Sequence, residues 1–297
     1  MSLKGLITGI IFTVLYSSGA IIMKIGLHSA SPLTLATLRF LIAGMLLLIF
    51  IYVFRKGKYP LPNKREWGIL ILLGLLNTSL FVGLGNLALR NISAGIFNLF
   101  LPINPFVFAI FSLIFMGKSI RAKEWMGMVV SAIGLFIATY PSLANSNANL
   151  SGILLLVLAM VSMAVGSLVF KKANLQLPTL VINAWQVFIG GIILIIPTLF
   201  LESGKPLHVD VHLVVYLLWS VIVLSIISMG LWFHLLKHDA VRANNWLLLN
   251  PVSGYILAAI VLGEPLTWYA VIATVVVLSG LYLSGNFQIK ERSSSAK

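Results

Sequence analysis

Ten stretches of mostly apolar residues follow one another along this chain, near 5–27, 32–54, 66–88, 92–115, 122–140, 150–170, 178–201, 212–235, 241–262 and 266–285. Each approaches the roughly twenty residues that a helix needs to cross a bilayer. In hydrocarbon every backbone N–H and C=O must be satisfied within the protein, and a helix does so locally. The pattern therefore predicts an all-α integral membrane protein of ten transmembrane helices. Breakers lie between the runs: Ser31-Pro32, the Pro60 to Pro62 segment, Pro141 with the polar Asn145 to Asn149, Pro178, Lys205-Pro206 and Pro265. Only 9% of the residues are charged and 60% are hydrophobic, whereas soluble domains carry roughly a quarter charged residues. A water-exposed surface of that kind would aggregate. The runs use nearly all of the 297 residues, which leaves no room for a soluble domain. The tail over 290–297, with Ser293 to Ser295, reads as a disordered cytoplasmic extension.

The charge is strongly basic, with 20 Lys and Arg against 7 Asp and Glu. These cations sit in short connections between apolar runs, so they speak of membrane orientation and lipid rather than nucleic acid. With the N-terminus inside, Lys24, Arg90 and Lys205 fall outside and Arg39 lies within the second run. The remaining sixteen of the 20 fall inside. That bias predicts an N-in, C-in chain and an even number of spans. There is no cysteine, which excludes disulfides, thiol catalysis and cysteine metal sites. The first run, with Lys4 before it and Ser18-Gly19-Ala20 within it, imitates a secretory signal. The same segment recurs in mid-chain, which argues for a retained helix.

Shifted by 146 residues, the sequence partly matches itself. Pro32 falls on Pro178, Gly44 on Gly190, Asn98 on Asn244, Asn104-Pro105 on Asn250-Pro251, Gly117 on Gly263 and Gly134 on Gly280. The first run matches the sixth at a shift of 147, pairing Gly5 with Gly152 and Gly19 with Gly166. Five helices is an odd number, so a second copy starts on the opposite side of the membrane. The expectation is two inverted five-helix repeats, residues 1–146 and 147–289, a pattern that recurs in secondary transporters.

With Ala36-Thr37-Leu38-Arg39-Phe40 in the second run, the two Asn-Pro pairs, and Gly263-Glu264-Pro265-Leu266 after the ninth, the chain resembles the drug/metabolite transporter superfamily. Within it the resemblance is to the EamA family of ten-helix carriers, over essentially the whole chain. One departure stands out: where the family often has Gly-Glu-Arg after the fourth helix, this chain has Gly117-Lys118-Ser119. The resemblance implies transport of amino acids, other metabolites or drugs, often outward.

Several residues could carry that chemistry. Pro105 and Pro251 cannot donate to the carbonyls of Leu101 and Leu247, and Pro102 similarly frees that of Asn98. Freed carbonyls must face protein or a wet cavity, so the fourth and ninth helices should kink and line a central path. The amides Asn77, Asn98, Asn104, Asn244 and Asn250 lie within apolar runs and must face helices or substrate. Ordinary helix-bridging hydrogen bonds would account for any one of them equally well. Tyr16, Trp232 and Trp246 could wall a ligand pocket. Trp67, Trp125, Trp219 and Trp268, near run ends, read better as an interfacial belt.

Arg39 is the single guanidinium inside an apolar run, and no carboxylate inside a run can pair with it. A headgroup or structural role and an anionic substrate group are both open to it. His234 could titrate near neutral pH, but a polar role at the inner interface accounts for it as well. All seven carboxylates lie at run ends or connections, which disfavours a carboxylate proton relay. His208, Asp210 and His212 are too few for a closed metal site, and no pattern requires a cofactor. Gly127 and Ser131 form a small-residue face for close helix packing, either inside the chain or between two copies in a homodimer.

The partners expected are a small-molecule substrate and the lipid bilayer, in a bacterial cytoplasmic (inner) membrane. Polar amides and aromatic walls without a buried acid suit a neutral or zwitterionic metabolite, an amino acid first. A multidrug or cationic-compound exporter is the alternative, weakened by the missing acid. A membrane-embedded enzyme is a further alternative. It lacks the paired acids, the metal cluster and the phosphate loop that it would need.

Overall fold

The computed structural model describes residues 3–101, 122–144, 150–238 and 249–283, with 104, 106, 107, 110, 111, 114, 246 and 247. All regular structure among the described residues is helical. We label the runs in chain order: α1, Leu3–Gly26; α2, Pro32–Ile49 with a wide turn at Phe50–Phe54; and α3, over Lys64–Leu73, Gly74–Leu80 and Phe81–Leu89. Then come α4, Ala94–Phe100; α5, Ala122–Ala144; α6, Leu150–Ala173; and α7, Thr179–Glu202. The last three are α8, over Val211–Leu218, Trp219–Ser228 and Met229–His238; α9, Asn250–Leu262; and α10, Trp268–Leu283.

Among the described residues, 6 helices are long and apolar enough to cross a membrane: Ile7–Gly26, Pro32–Phe54, Lys64–Leu89, Leu150–Ala173, Thr179–Glu202 and Val211–Trp232. Trp125–Ala138, Asn250–Leu262 and Trp268–Gly280 are shorter apolar helices. Much of the expected fourth run, and the start of the ninth, lie outside the described residues. Phe54, Phe136, Phe200 and Ile260 are exposed, the kind of surface that only lipid tolerates.

Local sequence explains where several helices start. Asn63 and Glu66 form a reciprocal capping box on α3: the Glu66 N–H donates to Asn63 Oδ1 and the Asn63 N–H to Glu66 Oε2. Ser93 caps α4 by accepting the Ile96 N–H, and Pro32 occupies the first turn of α2.

Two helices widen in mid-run. α3 does so over Gly74–Leu80 and α8 over Trp219–Ser228, where the ladder skips to i→i+5 bonds. Serine hydroxyls take up freed carbonyls there. Ser79 Oγ donates to the carbonyls of Gly74 and Gly190, and Ser225 Oγ donates to that of Ser220. Gly74 and Ser79 stand at the repeat spacing from Ser220 and Ser225.

Close approach through glycine joins α2 to α7 and α5 to α10. A Cβ on Gly44 would lie 2.6 Å from the Phe188 Cα, and one on Gly191 would lie 2.9 Å from the Leu41 nitrogen. Thr37 and Thr198 share a hydroxyl hydrogen bond of 2.8 Å across the same seam. On the other seam, a Cβ on Gly280 would lie 2.6 Å from the Gly127 carbonyl, and Ser131 Oγ donates to the Val277 carbonyl. The Gly127–Ser131 face is therefore packed inside the chain, and a homodimer would need another surface.

One end of the bundle is tied by carboxylates on helix N-termini, where unpaired N–H groups and the helix dipole favour negative charge. Glu202, at the end of α7, accepts the Leu33 and Thr34 N–H groups and the Thr34 hydroxyl at the start of α2. Gly263 turns the chain with φ +67°, which glycine adopts without strain. That turn delivers Glu264 onto the N–H groups of Ala94 and Gly95 at 2.9 and 3.1 Å, the start of α4. Asp210 accepts the Ser29 hydroxyl and the Leu213 N–H, and the His208 N–H donates to the Ser29 carbonyl. His212 lies 3.5 Å from Asp210 and its ring leans on His28.

The Ser29 hydroxyl and the Leu213 N–H hold the Asp210 carboxyl down to about 2. A carboxyl held below its ordinary value stabilises the fold above that value and stops doing so as pH falls through the lowered one. Acidification from pH 7 to pH 4 should leave the α1–α8 tie intact, read by unchanged protease resistance of the 203–210 connection. Glu202→Ala and Glu264→Ala should each destabilise the bundle by about 1–2 kcal/mol through the lost cap. The check is a lower thermal midpoint in detergent, with Glu→Gln milder at both positions.

Candidate functional site

Helix α1 presents two polar-to-aromatic faces to the interior, and the expected site residues gather around them. Thr13 and Ser17, one turn apart, make the first. The Thr13 hydroxyl lies 3.0 Å from the Trp246 carbonyl, and Trp246 lies against Gly9, where any side chain would collide with its ring. Ser17 Oγ donates to Ser253 Oγ on α9, and Asn98 Nδ2 donates to the carbonyls of Ser17 and Ala94. Gly254 lets α9 approach this point, since a Cβ there would collide with Asn98. Asn98 and Trp246 thus stand where α1, α4 and α9 converge, and Asn250 lies one helical turn before Gly254.

Asn250 is 0% exposed, and neither its amide oxygen nor its amide nitrogen has a hydrogen-bond partner among the described residues. Leaving a buried polar group unpaired costs about 1–3 kcal/mol. Its position follows from Pro251, which lies in the first turn of α9 and cannot donate a backbone N–H. Trp246 and Leu247 are helical, Leu249 is in a turn, and the helix restarts at Asn250. The expected kink is a break with a new helix start. Asn98 Oδ1 is likewise unpaired.

The second face of α1 carries Phe12 and Tyr16. Phe12 stacks on Trp232 of α8 at 5.3 Å and leans on Tyr16 at the same distance. Beside Tyr16 stands Arg39 of α2, whose Nε donates to Ser225 Oγ at 3.0 Å, inside the wide segment of α8. Its guanidinium also lies 4.8 Å from the Phe40 ring centre, and Tyr16 and Tyr216 are within electrostatic reach. Asn183 Nδ2 donates to the Ser225 carbonyl, so α7 joins the same point.

Other expected residues lie elsewhere. Asn77 sits in the wide turn of α3 against Gly166 of α6, away from both faces of α1. Asn104 is buried and His234 is exposed. Trp185 donates to the Tyr52 hydroxyl and packs on Trp67, which places it with the end-of-helix aromatics. Pro102, Pro105 and Asn244 lie outside the described residues. Sequence reasoning missed Phe12, Asn183, Tyr216 and Ser225. The repeat spacing between Ser79 and Ser225 was the one available signal.

A separate cleft of about 390 Å³ opens beside the α1–α2 connection, lined by His28, Pro32, Arg90, Lys205 and His208 among others. Among the described residues, no group of three or more His, Cys, Asp or Glu could hold a metal ion.

The sequence profile of the EamA-like transporter family matches twice, over residues 3–140 and 150–286. The chain belongs to the EamA-like transporter family. A Salmonella typhimurium protein named as a probable amino-acid metabolite efflux pump is 26% identical over 293 residues, covering 96% of this chain and 95% of that one. An uncharacterized inner membrane transporter of Escherichia coli K12 is 28% identical over 285 residues, covering 91% and 89%. A solved crystal structure shares the fold with a TM-score of 0.67 at 15% identity, covering 96% of this chain and 97% of that one. This EamA-like protein is a multi-pass integral membrane transporter of small molecules, and not an enzyme.

The Asn250 side-chain amide bridges to no other helix among the described residues. Asn250→Leu should therefore keep or raise the thermal midpoint in detergent. A fall of several degrees would show that its amide is structural.

Proposed function

We propose that this protein is a secondary transporter, an exporter, exchanger or facilitator, of small metabolites, with amino acids or related compounds as its cargo. The observation that carries the reading is the fully buried Asn250 at the restart of α9, whose two amide atoms have no hydrogen-bond partner among the described residues. Broken helices with unmet polar groups near mid-membrane are where such folds bind their cargo. The Tyr16–Phe12–Trp232 stack adds an apolar wall on the other face of α1. The name of the Salmonella relative points the same way.

The mechanism we propose is alternating access by two inverted five-helix repeats, residues 1–146 and 147–289, crossing the inner membrane ten times with both termini inside. Three observations support it: the double family match, the wide turns at equivalent places, and the contact of Ser131 with Val277, its own counterpart 146 residues on. In this arrangement the Glu202, Asp210 and Glu264 ties hold the outer end closed, and they must release for cargo to leave outward. No carboxylate lies inside an apolar run, so exchange or facilitated diffusion fits better than proton pumping, and a cationic drug finds no buried acid.

Counterflow in proteoliposomes with pooled labelled amino acids tests the function. Wild type should accumulate label, and Asn250→Ala should cut accumulation about tenfold, the effect of one lost polar contact. Uptake unchanged in the variant discards this site, and the lack of counterflow with any amino acid discards the cargo.

A further inference from the structure

Arg39 is set deep in the bundle. Its side chain does not run to the bundle end to meet water or headgroups. It turns inward, and its Nε donates to Ser225 Oγ well inside α8. That serine is already committed: its hydroxyl donates to the Ser220 carbonyl and its own carbonyl accepts from Asn183. The serine thus holds the Nε edge of the guanidinium, and Tyr216 stands near its remaining N–H groups. Among the described residues, no carboxylate forms an ion pair with Arg39. A cation at such depth is costly unless something anionic meets it.

Two further donors flank it. The Tyr216 hydroxyl is buried, with its residue 1% exposed, and stands close to the Arg39 guanidinium and to Ser220. Tyr16 reaches Arg39 from the other side and leads into the Phe12–Trp232 stack. Both Arg39 and Tyr16 keep part of their surface accessible.

A guanidinium with two phenol hydroxyls near it is a site rich in N–H and O–H donors. It matches a planar carboxylate, which accepts two parallel N–H bonds from arginine and further bonds from hydroxyls. We infer that Arg39, Tyr16 and Tyr216 seat the carboxylate of the transported molecule, with its apolar side chain lying on the Phe12–Trp232 stack. The cargo is then a monocarboxylate, zwitterionic or anionic, with an apolar body. This rests on the amino-acid reading above and narrows it: the carboxylate, not the ammonium group, is the handle.

Competition against labelled phenylalanine counterflow tests the inference. The competitors are N-acetylphenylalanine, which keeps the carboxylate and loses the ammonium, and phenylalaninamide, which does the reverse. In wild type the acetylated acid should compete and the amide should not. Arg39→Gln should weaken competition by carboxylates about tenfold to a hundredfold, the range for a hydrogen bond to a charged group. Arg39→Lys should keep the order of preference at lower affinity. Tyr216→Phe, which removes one hydroxyl and keeps the ring, should weaken carboxylates several-fold and serves if Arg39→Gln does not fold. If the amide competes as well as the acid in wild type, or if folded Arg39→Gln keeps the carboxylate preference, the inference is wrong and the transporter reading stands. Lack of any amino-acid counterflow in wild type overturns the amino-acid reading itself.

Discussion

Every backbone polar group that this chain carries into hydrocarbon must find its partner inside the protein. That constraint makes the chain helical, and it governs each departure from regular helix. Where α3 and α8 widen, Ser79 and Ser225 take up freed carbonyls. Where Pro251 interrupts the ninth run, a new helix begins at Asn250 and leaves its amide in the interior. Where α2 and α4 start, Glu202 and Glu264 accept the N–H groups that no preceding turn can satisfy. The irregular places are thus also the places where polar side chains are concentrated, which is why the candidate site coincides with them.

Helix α1 links the two parts of that site. Thr13 and Ser17 hold α4 and α9, while Phe12 and Tyr16 face α8 and the Arg39 cluster. A cargo that touched Asn250 and the aromatic stack together would have to bridge both faces of one helix. A shift or rotation of α1 would therefore be felt by both sets of contacts at once. Glycines keep the remaining seams tight, with α2 on α7 and α5 on α10, so rigid pairs flank the helix that carries the polar contacts.

The chain's membrane character was legible in its sequence, because long apolar runs have one physical use. So were several helix starts, since Asn63, Ser93 and Asp210 cap them by short-range chemistry. The asparagines were legible only as polar groups in apolar runs. Periodicity could not say that Asn77 would press on Gly166 while Asn98 and Asn250 would share a junction, since that depends on which helices become neighbours. Asn183 and Ser225 were invisible for the same reason: each matters through contacts with distant helices. Glu264 was legible as a family feature, but its bonds to Ala94 and Gly95 follow from the left-handed turn at Gly263, which no pattern of hydrophobicity reports.

The carboxylate ties have a consequence for how two halves of one chain can diverge. Counted at the repeat spacing, Glu202 and Glu264 stand opposite Lys56 and Lys118. In the proposed arrangement, with the termini inside, those two positions would face the cytoplasm, where insertion favours lysine and arginine. A single ancestral position is then asked for a helix-capping acid in one copy and for a topology-setting base in the other. In this chain the second half keeps the acid and the first half carries the base. In the proposed arrangement the carboxylate ties of Glu202 and Glu264 would then load one side of the membrane more than the other, and a carrier built from like halves would acquire a preferred resting direction.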